Sequence, residues 1–385
     1  MRAAPVVVLS AYNVAGSPEV GGHFWVYLQY ALGLRALGCD VYWLEWFTQR
    51  GPERDARAIE TFLARMARYG LGGKVVLFVA PEKRAPARAC TMTGMDAAAA
   101  EAIFARADLL LNFHYAIDPE LLGRVRRTAL VDIDPGLLQL WMEQGQIRVA
   151  DHDRWFTTGE TVGLPGSRMP DAGKTWHRIR PCVSVEHWST APERNSGAMS
   201  TVSSWQAREW VKDDRGHYEN NKRVSFLEYR ELPRRVGETL ELALFFDPED
   251  DEAEIRSMRA AGWRIRHSRE VAGSPEAYRE YVQGSRAEFS CAKPSCMKFQ
   301  NAWISDRTLC YLASGKPAIV QHTGSSAYLP DDEGLFRFSN LDEASAAIEA
   351  VGADYSRHSR AARALAEEHF DAKNVARQIL EIALT

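Results

Sequence analysis

The densest chemistry in this sequence lies between residues 305 and 325, SDRTLCYLASGKPAIVQHTGS. Ser305 and Asp306 are residue types that cap a helix start, 308–313 reads as a short helix, and Ser314-Gly315-Lys316-Pro317 stops it. Residues 318–320 form an apolar strand, and Thr323, Gly324 and Ser325 make a polar loop after it. The free amides of a helix start attract anions. Ser305, Asp306 and Arg307, the loop of Thr323, Gly324 and Ser325, and Lys293 upstream are therefore expected to hold a phosphorylated ligand; Lys293 and Arg307 also fit a reading as plain surface charges. Gly315-Lys316 is not a P-loop, because Pro317 stands where a serine or threonine would bind magnesium.

A second reactive set lies in the first third of the chain. His23 follows Gly21 and Gly22, where a backbone without side chains allows close approach of a ligand, and it opens a helix after the first strand. His114 closes the apolar run 108–113, and Asp134 follows the run 127–133. Such carboxyl ends of strands form the ligand edge of an open α/β sheet. An imidazole with a pKa near the free value of about 6.5 is largely unprotonated at neutral pH and can take a proton from a hydroxyl. His23 is thus the expected general base, Asp134 the group that orients its ring, and His114 a further catalytic candidate. The plainer readings are a capping or solvated histidine at 23 and turn residues at 114 and 134.

The elements that must position these residues alternate. Strands are expected at 6–9, 41–44, 74–79, 108–113, 127–133 and 176–185, with helices at 23–37, 55–69 and 96–107. Residues 137–192 are poor in periodicity and rich in scattered tryptophan, glycine and proline. A turn-rich linker is placed at 192–197. A second series follows, with strands at 199–204, 240–245, 263–266 and 288–291 and helices at 251–261, 275–284 and 305–314. A long helical pattern at 356–384 is broken near Phe370-Asp371. Alternation of this kind implies parallel sheets covered on both faces. The expected domains are 1–191, 198–355 and a carboxyl-terminal helical segment, 356–385.

With 385 residues the chain supports two domains, and its 46% hydrophobic and 25% charged content is that of a soluble globular protein. A net charge of −4 with scattered basic residues gives no ground for a nucleic-acid partner, so none is expected. No apolar run approaches the roughly 20 residues of a membrane span, and the amino-terminal run is too short for a signal peptide, so a cytoplasmic location is expected. Six widely spaced cysteines read as free thiols. Cys291 and Cys296 lack a second ligand pair, and no metal site is expected.

The order helix, small-residue-Gly-x-Pro stop, strand and Thr-Gly loop in 305–325 resembles the donor half-site of GT-B glycosyltransferases. Gly22-His23, Leu28, Ala31, Leu34, Gly38 and Val41 fall in the register of the amino-terminal Gly-His helix of family-1-related members, with Val26 where proline is frequent. The chain as a whole is most similar to bacterial group-1-type transferases. The resemblance implies an α/β fold of two Rossmann-like domains facing a cleft, with the last helix crossing back to the first domain. It implies transfer of a sugar from a UDP- or TDP-type nucleotide sugar to a small-molecule or glycan acceptor, with no further cofactor. The family glutamate that holds the donor ribose is Cys310 here, and Asp306, one turn earlier, is the expected substitute. A nucleotide-sugar epimerase of the same architecture and a non-catalytic sugar- or nucleotide-binding protein are the competing readings.

Overall fold

The structure, a computed structural model, describes residues 4–192, 197–206, 210–213 and 216–385. Residues 193–196 of the expected linker lie outside the described residues. The chain divides into two compact units. Unit 1 comprises Met1–Gly163, Met169–Arg180 and Ala372–Thr385, and unit 2 comprises Leu164–Arg168 and Pro181–Asp371.

Unit 1 is built on an eight-stranded sheet of β1 (Val6–Ser10), β2 (Asp40–Thr48), β3 (Val75–Ala80), β4 (Thr91–Thr93), β5 (Leu109–Asn112), β6 (Thr128–Asp132), β7 (Arg154–Thr157) and β8 (Trp176–Arg178). The order is β4-β3-β2-β1-β5-β6-β7-β8, and only β4 is antiparallel to its neighbour. Every residue of β1 and β3 is buried, as apolar strands covered on both faces must be. Val7 pairs with Val41 on one side and Leu109 on the other. The strand order reverses at β1 and β5, so the loops after Ser10 and Asn112 diverge and leave a crevice at the carboxyl edge.

The helix Gly21–Ala36 is buried almost all round, because the last helix, Ala372–Ala383, packs on its outer face. A Cβ at Gly33 would stand 2.2 Å from the Ala372 carbonyl oxygen, so the close approach of the two helices depends on that glycine. The weakly periodic region adds the helix Leu137–Glu143 and the last two strands of the sheet, β7 and the edge strand β8, where Trp155 and Trp176 meet edge to face at 5.5 Å. The strand expected over 176–185 is limited to β8.

Unit 2 holds β9 (Met199–Ser204), β10 (Trp210–Asp213), β11 (Gly216–Glu219), β12 (Leu240–Phe245), β13 (Arg264–His267), β14 (Ala287–Ser290), β15 (Ala318–Gln321), β16 (Asp332–Glu333) and β17 (Leu335–Phe338). Its main sheet runs β13-β12-β9-β14-β15-β17-β16, with β10 and β11 as a separate hairpin. The six parallel strands are thus in doubly wound order, and the reversal falls at β9 and β14. Phe289 and Phe338 stack at 5.1 Å in the core, with Trp263 and Tyr229 against Phe289.

The change of unit comes at Arg180-Pro181, ahead of the turn-rich stretch. Trp188 is fully buried against Tyr278, the Ala191 amide donates to the Ser314 carbonyl, and Lys316 Nζ donates to the Pro192 carbonyl at 2.8 Å. These bonds fasten the segment before the linker to the helix stop at 314–317. The pattern at 356–384 is two helices separated at Phe370-Asp371. Tyr355–His369 packs on Asp306–Ala313, where Arg363 Nη1 donates to the Ala313 carbonyl, whereas Ala372–Ala383 belongs to unit 1.

Candidate functional site

The helix Asp306–Ala313 begins beside the β9/β14 reversal, capped by Ser305 Oγ, which accepts the Arg307 amide at 3.3 Å. Arg307 does not face outward as the sequence reading expects of a phosphate ligand. Its Nε donates to Glu288 Oε1 at 2.7 Å, Nη1 to the Val202 carbonyl at 3.0 Å and Nη2 to Ser290 Oγ. The Arg307 and Glu288 side chains are 8% and 0% exposed. Burial opposes the guanidinium charge, but Glu288 outweighs it and holds the Arg307 pKa above its ordinary value. Arg307 is therefore a strut that carries positive charge to the reversal point.

Lys222 and Lys293 join that charge. Lys222 opens the helix Lys222–Glu228 and Lys293 caps the helix Pro294–Phe299. Ser225 Oγ donates to the Ala292 carbonyl and Asn220 Oδ1 accepts the Ser295 amide, both at 2.8 Å, which pins the two helix starts together. Lys222 Nζ lies 5.7 Å from the Trp303 ring centre. Burial, then the positive charges of Arg307 and Lys293, push the Lys222 pKa down to about 7, with Asp306 and Glu288 opposing. Like charges crowded at a helix start and the carboxyl ends of strands are arranged for an anion. Sequence reasoning passed over Lys222, whose local sequence NNKR carries no phosphate-binding pattern.

The loop after β15 is turned inward. Thr323 Oγ1 donates to the Trp303 carbonyl at 2.6 Å and the Ala302 amide to the Thr323 carbonyl at 2.9 Å. Gly324 has φ +124°, and a Cβ there would meet the Gln300 carbonyl oxygen at 2.7 Å. Thr323 and Gly324 thus buttress residues 300–303, in which Gln300 and Ala302 are held at φ +51° and +54°. Strain of that kind costs about 1–3 kcal/mol per residue and persists where the surroundings over-determine it. Ser325 is exposed. Cys310 is buried, with Sγ donating to the Asp306 carbonyl, so it lies under the Asp306 turn.

In unit 1 a cavity of about 850 Å³ opens at the carboxyl ends of β1, β2, β5 and β6. His114 lines it, with ring centres of Tyr12 and Trp46 at 5.0 and 5.9 Å. Neither imidazole nitrogen has a hydrogen-bond partner among the described residues, and Nδ1 is buried. Burial lowers the His114 pKa to about 4, so the ring is neutral at neutral pH. Its backbone is fixed by buried Asn112, which accepts the His114 amide at 2.9 Å and donates to its carbonyl at 3.1 Å.

Asp134 is exposed in the same lining, and its amide donates to Asp132 Oδ1 at 3.0 Å. Asp132, fully buried, also accepts from Gln139 Nε2 (2.7 Å), Thr157 Oγ1 (2.8 Å) and Tyr115 OH (3.3 Å). Burial raises its pKa to about 6 against these donors. Glu45, also fully buried, accepts the Ala15 amide at 2.7 Å and Trp43 Nε1 at 2.9 Å, and burial raises it to about 7. Asp132 and Glu45 thus organise the loops after β6 and β1. Both are acids inside apolar runs, where a period-based reading counts them only as interruptions.

His23 sits in the first turn of its helix behind Gly21 and Gly22, after a Val20 cap that offers no side-chain bond. Its Nε2 is 2.7 Å from the Tyr12 carbonyl. A carbonyl can only accept, so Nε2 carries the proton. His23 is not part of the cavity lining; Tyr12 is, with its carbonyl held by His23 and its ring against His114.

No protein-family model and no curated protein sequence matches this chain. Solved structures do match. An alpha-glucosyltransferase in complex with UDP and a 13-mer DNA containing a central A:G mismatch is similar over 100% of both chains, with a TM-score of 0.62 and 10% identity. HepE of Anabaena in complex with UDP and glucose is similar over 99% of both chains, with a TM-score of 0.58 and 12% identity. Sucrose-phosphate synthase of Thermosynechococcus elongatus is similar over 99% of this chain and 98% of its own, with a TM-score of 0.55 and 12% identity. The chain has the GT-B glycosyltransferase fold. At such identities the likeness is one of fold.

The GT-B structures correct one expectation. The exclusion of a nucleic-acid partner, drawn from the charge of −4, does not stand, since alpha-glucosyltransferases of this fold are seen in complex with DNA. Net charge averages the whole surface, whereas recognition depends on the local field. Among the described residues of this GT-B chain, no helix is long and apolar enough to cross a membrane.

Proposed function

We propose that the protein is a glycosyltransferase that moves a sugar from a UDP- or TDP-type nucleotide sugar to a hydroxyl-bearing acceptor. The reading is carried by the crowding of Lys222, Lys293 and Arg307 at the start of helix Asp306–Ala313. As the bond from the sugar C1 to the diphosphate oxygen breaks, an oxocarbenium-like state develops and the leaving group gains negative charge. Fixed donors that meet that charge lower the barrier. Lys222 and Lys293 contact the diphosphate, Arg307 supplies its field from behind, and Asp306 takes the ribose hydroxyls. The acceptor enters the unit 1 cavity. Its oxygen attacks C1 with inversion, its proton passes to His114, and the nucleoside diphosphate departs. His114 fits the role of base better than His23, because its ring nitrogens are unpartnered among the described residues and it lines the cavity. His23 positions Tyr12.

The test is incubation with a panel of UDP- and TDP-sugars, with and without phenols, glycans and duplex DNA as acceptors. Acceptor-dependent release of nucleoside diphosphate is expected, and it should persist in EDTA because side chains and helix amides meet the diphosphate charge. Isomerisation without acceptor would indicate an epimerase, and binding without turnover a non-catalytic protein. Activity lost in EDTA and restored by magnesium would overturn the metal-free assignment.

Lys222 makes donor binding dependent on pH. With a pKa of about 7 in the empty site it is mostly neutral at pH 8 to 9, and an arriving diphosphate restores its charge. Binding therefore takes up a proton, and UDP affinity should fall by up to about tenfold per pH unit above 7. Calorimetry at pH 8 in buffers of different protonation enthalpy should report close to one proton per UDP. Lys222→Ala should abolish the uptake and weaken UDP by about 1–3 kcal/mol. Affinity flat from pH 7.5 to 9, with no uptake, would remove Lys222 from the diphosphate.

A further inference from the structure

We propose that the unit 1 cavity takes a small planar aromatic molecule bearing an anionic group, of which a hydroxyaryl carboxylate is the simplest form. Calling that molecule the acceptor rests on the glycosyltransferase reading; its binding does not. A volume of about 850 Å³ falls in the range of pockets that enclose small organic ligands. The lining includes Tyr12, Trp46, Tyr115 and Trp141, and Tyr12 is 46% exposed, a large apolar side chain left open at a cavity. Aromatic walls of this kind favour stacked or edge-on planar guests.

The charge in the same cavity has one sign to spare. Arg50, Lys83 and Arg84 line it, are exposed, and make no side-chain hydrogen bond or ion pair with any described residue. Elsewhere in unit 1, Arg88, Arg106 and Arg124 are each paired with a carboxylate. The three cations outnumber the two carboxylates of the lining, Asp118 and Asp134. Asp118 is engaged by the Ala87 and Glu120 amides. Arg84 is moreover held at φ +68°, a conformation that costs energy for a residue with a Cβ and persists where the surroundings over-determine it. Neutral His114, with neither ring nitrogen bonded, is left to meet the hydroxyl of the guest.

The experiment measures binding of hydroxynaphthoate and of uncharged naphthol by calorimetry, without donor. The acid is expected to bind at least about tenfold more tightly, the usual effect of a charge-assisted contact. The triple variant Arg50→Ala, Lys83→Ala, Arg84→Ala should abolish that preference while leaving naphthol affinity, UDP affinity and thermal melting unchanged, and Trp46→Ala should weaken both guests. Equal affinity for acid and naphthol, or a preference that survives in the triple variant, overturns the proposal. A short DNA duplex that displaces hydroxynaphthoate and binds more tightly also overturns it, in favour of a nucleic-acid guest. Failure of the glycosyltransferase reading would appear separately, as absent UDP binding and absent turnover of UDP-sugars with the naphthoate preference intact.

Discussion

His114→Asn is expected to lower kcat by about 10² to 10⁴, with UDP affinity and thermal melting close to those of the unaltered protein. The neutral ring lines the cavity with neither nitrogen engaged, so its loss removes the proton acceptor without breaking a hydrogen bond of the fold. His23→Ala should cost less than about tenfold in kcat, since His23 acts on the acceptor only through the Tyr12 loop, and the full range above would apply to it only if it were the base. The pH profile separates the two. A base with a pKa of about 4 in the free protein is unprotonated throughout the neutral range, so kcat/KM should stay level on acidification and turn down only near pH 4 to 5. A downturn near the free imidazole value of about 6.5 would point away from His114. A His114→Asn variant that keeps full kcat would move the base elsewhere or favour a retaining mechanism.

Arg307→Ala should destabilise the protein by about 3–5 kcal/mol in chemical unfolding, the cost of leaving a buried charge without its partner. Glu288 is 0% exposed and its Oε2 has no hydrogen-bond partner, so nothing nearby would take over from the guanidinium. The double variant Arg307→Met, Glu288→Leu should recover most of the lost stability, because it removes both charges and refills the volume. UDP binding by that double variant should be weakened but present, given that Lys222 and Lys293 remain. Normal unfolding of Arg307→Ala together with abolished UDP binding would show the opposite, a side chain that reaches the diphosphate directly.

The elements of these segments were legible because they depend on local order. β1, the helix Asp306–Ala313, its stop and β15 lie where residue type and spacing place them. His114 and Asp134 follow β5 and β6 closely, as expected, whereas His23 lies in the first turn of the helix Gly21–Ala36. The hairpin of β10 and β11, β17 and the helix Leu341–Ala353 escaped.

Sequence alone therefore determined the alternating α/β fold and the helix start at Asp306. Tertiary structure decided what surrounds each charged side chain. Arg307 is committed to Glu288 and to Val202, the Lys222 charge is opposed by burial and by those of Arg307 and Lys293, and His114 instead of His23 meets the cavity. Periodicity and capping are set by neighbours a few residues apart, whereas the Coulomb energy and desolvation that give a charged side chain its role depend on distance and burial. Both are set only when segments as remote in sequence as Val202 and Arg307 are packed together.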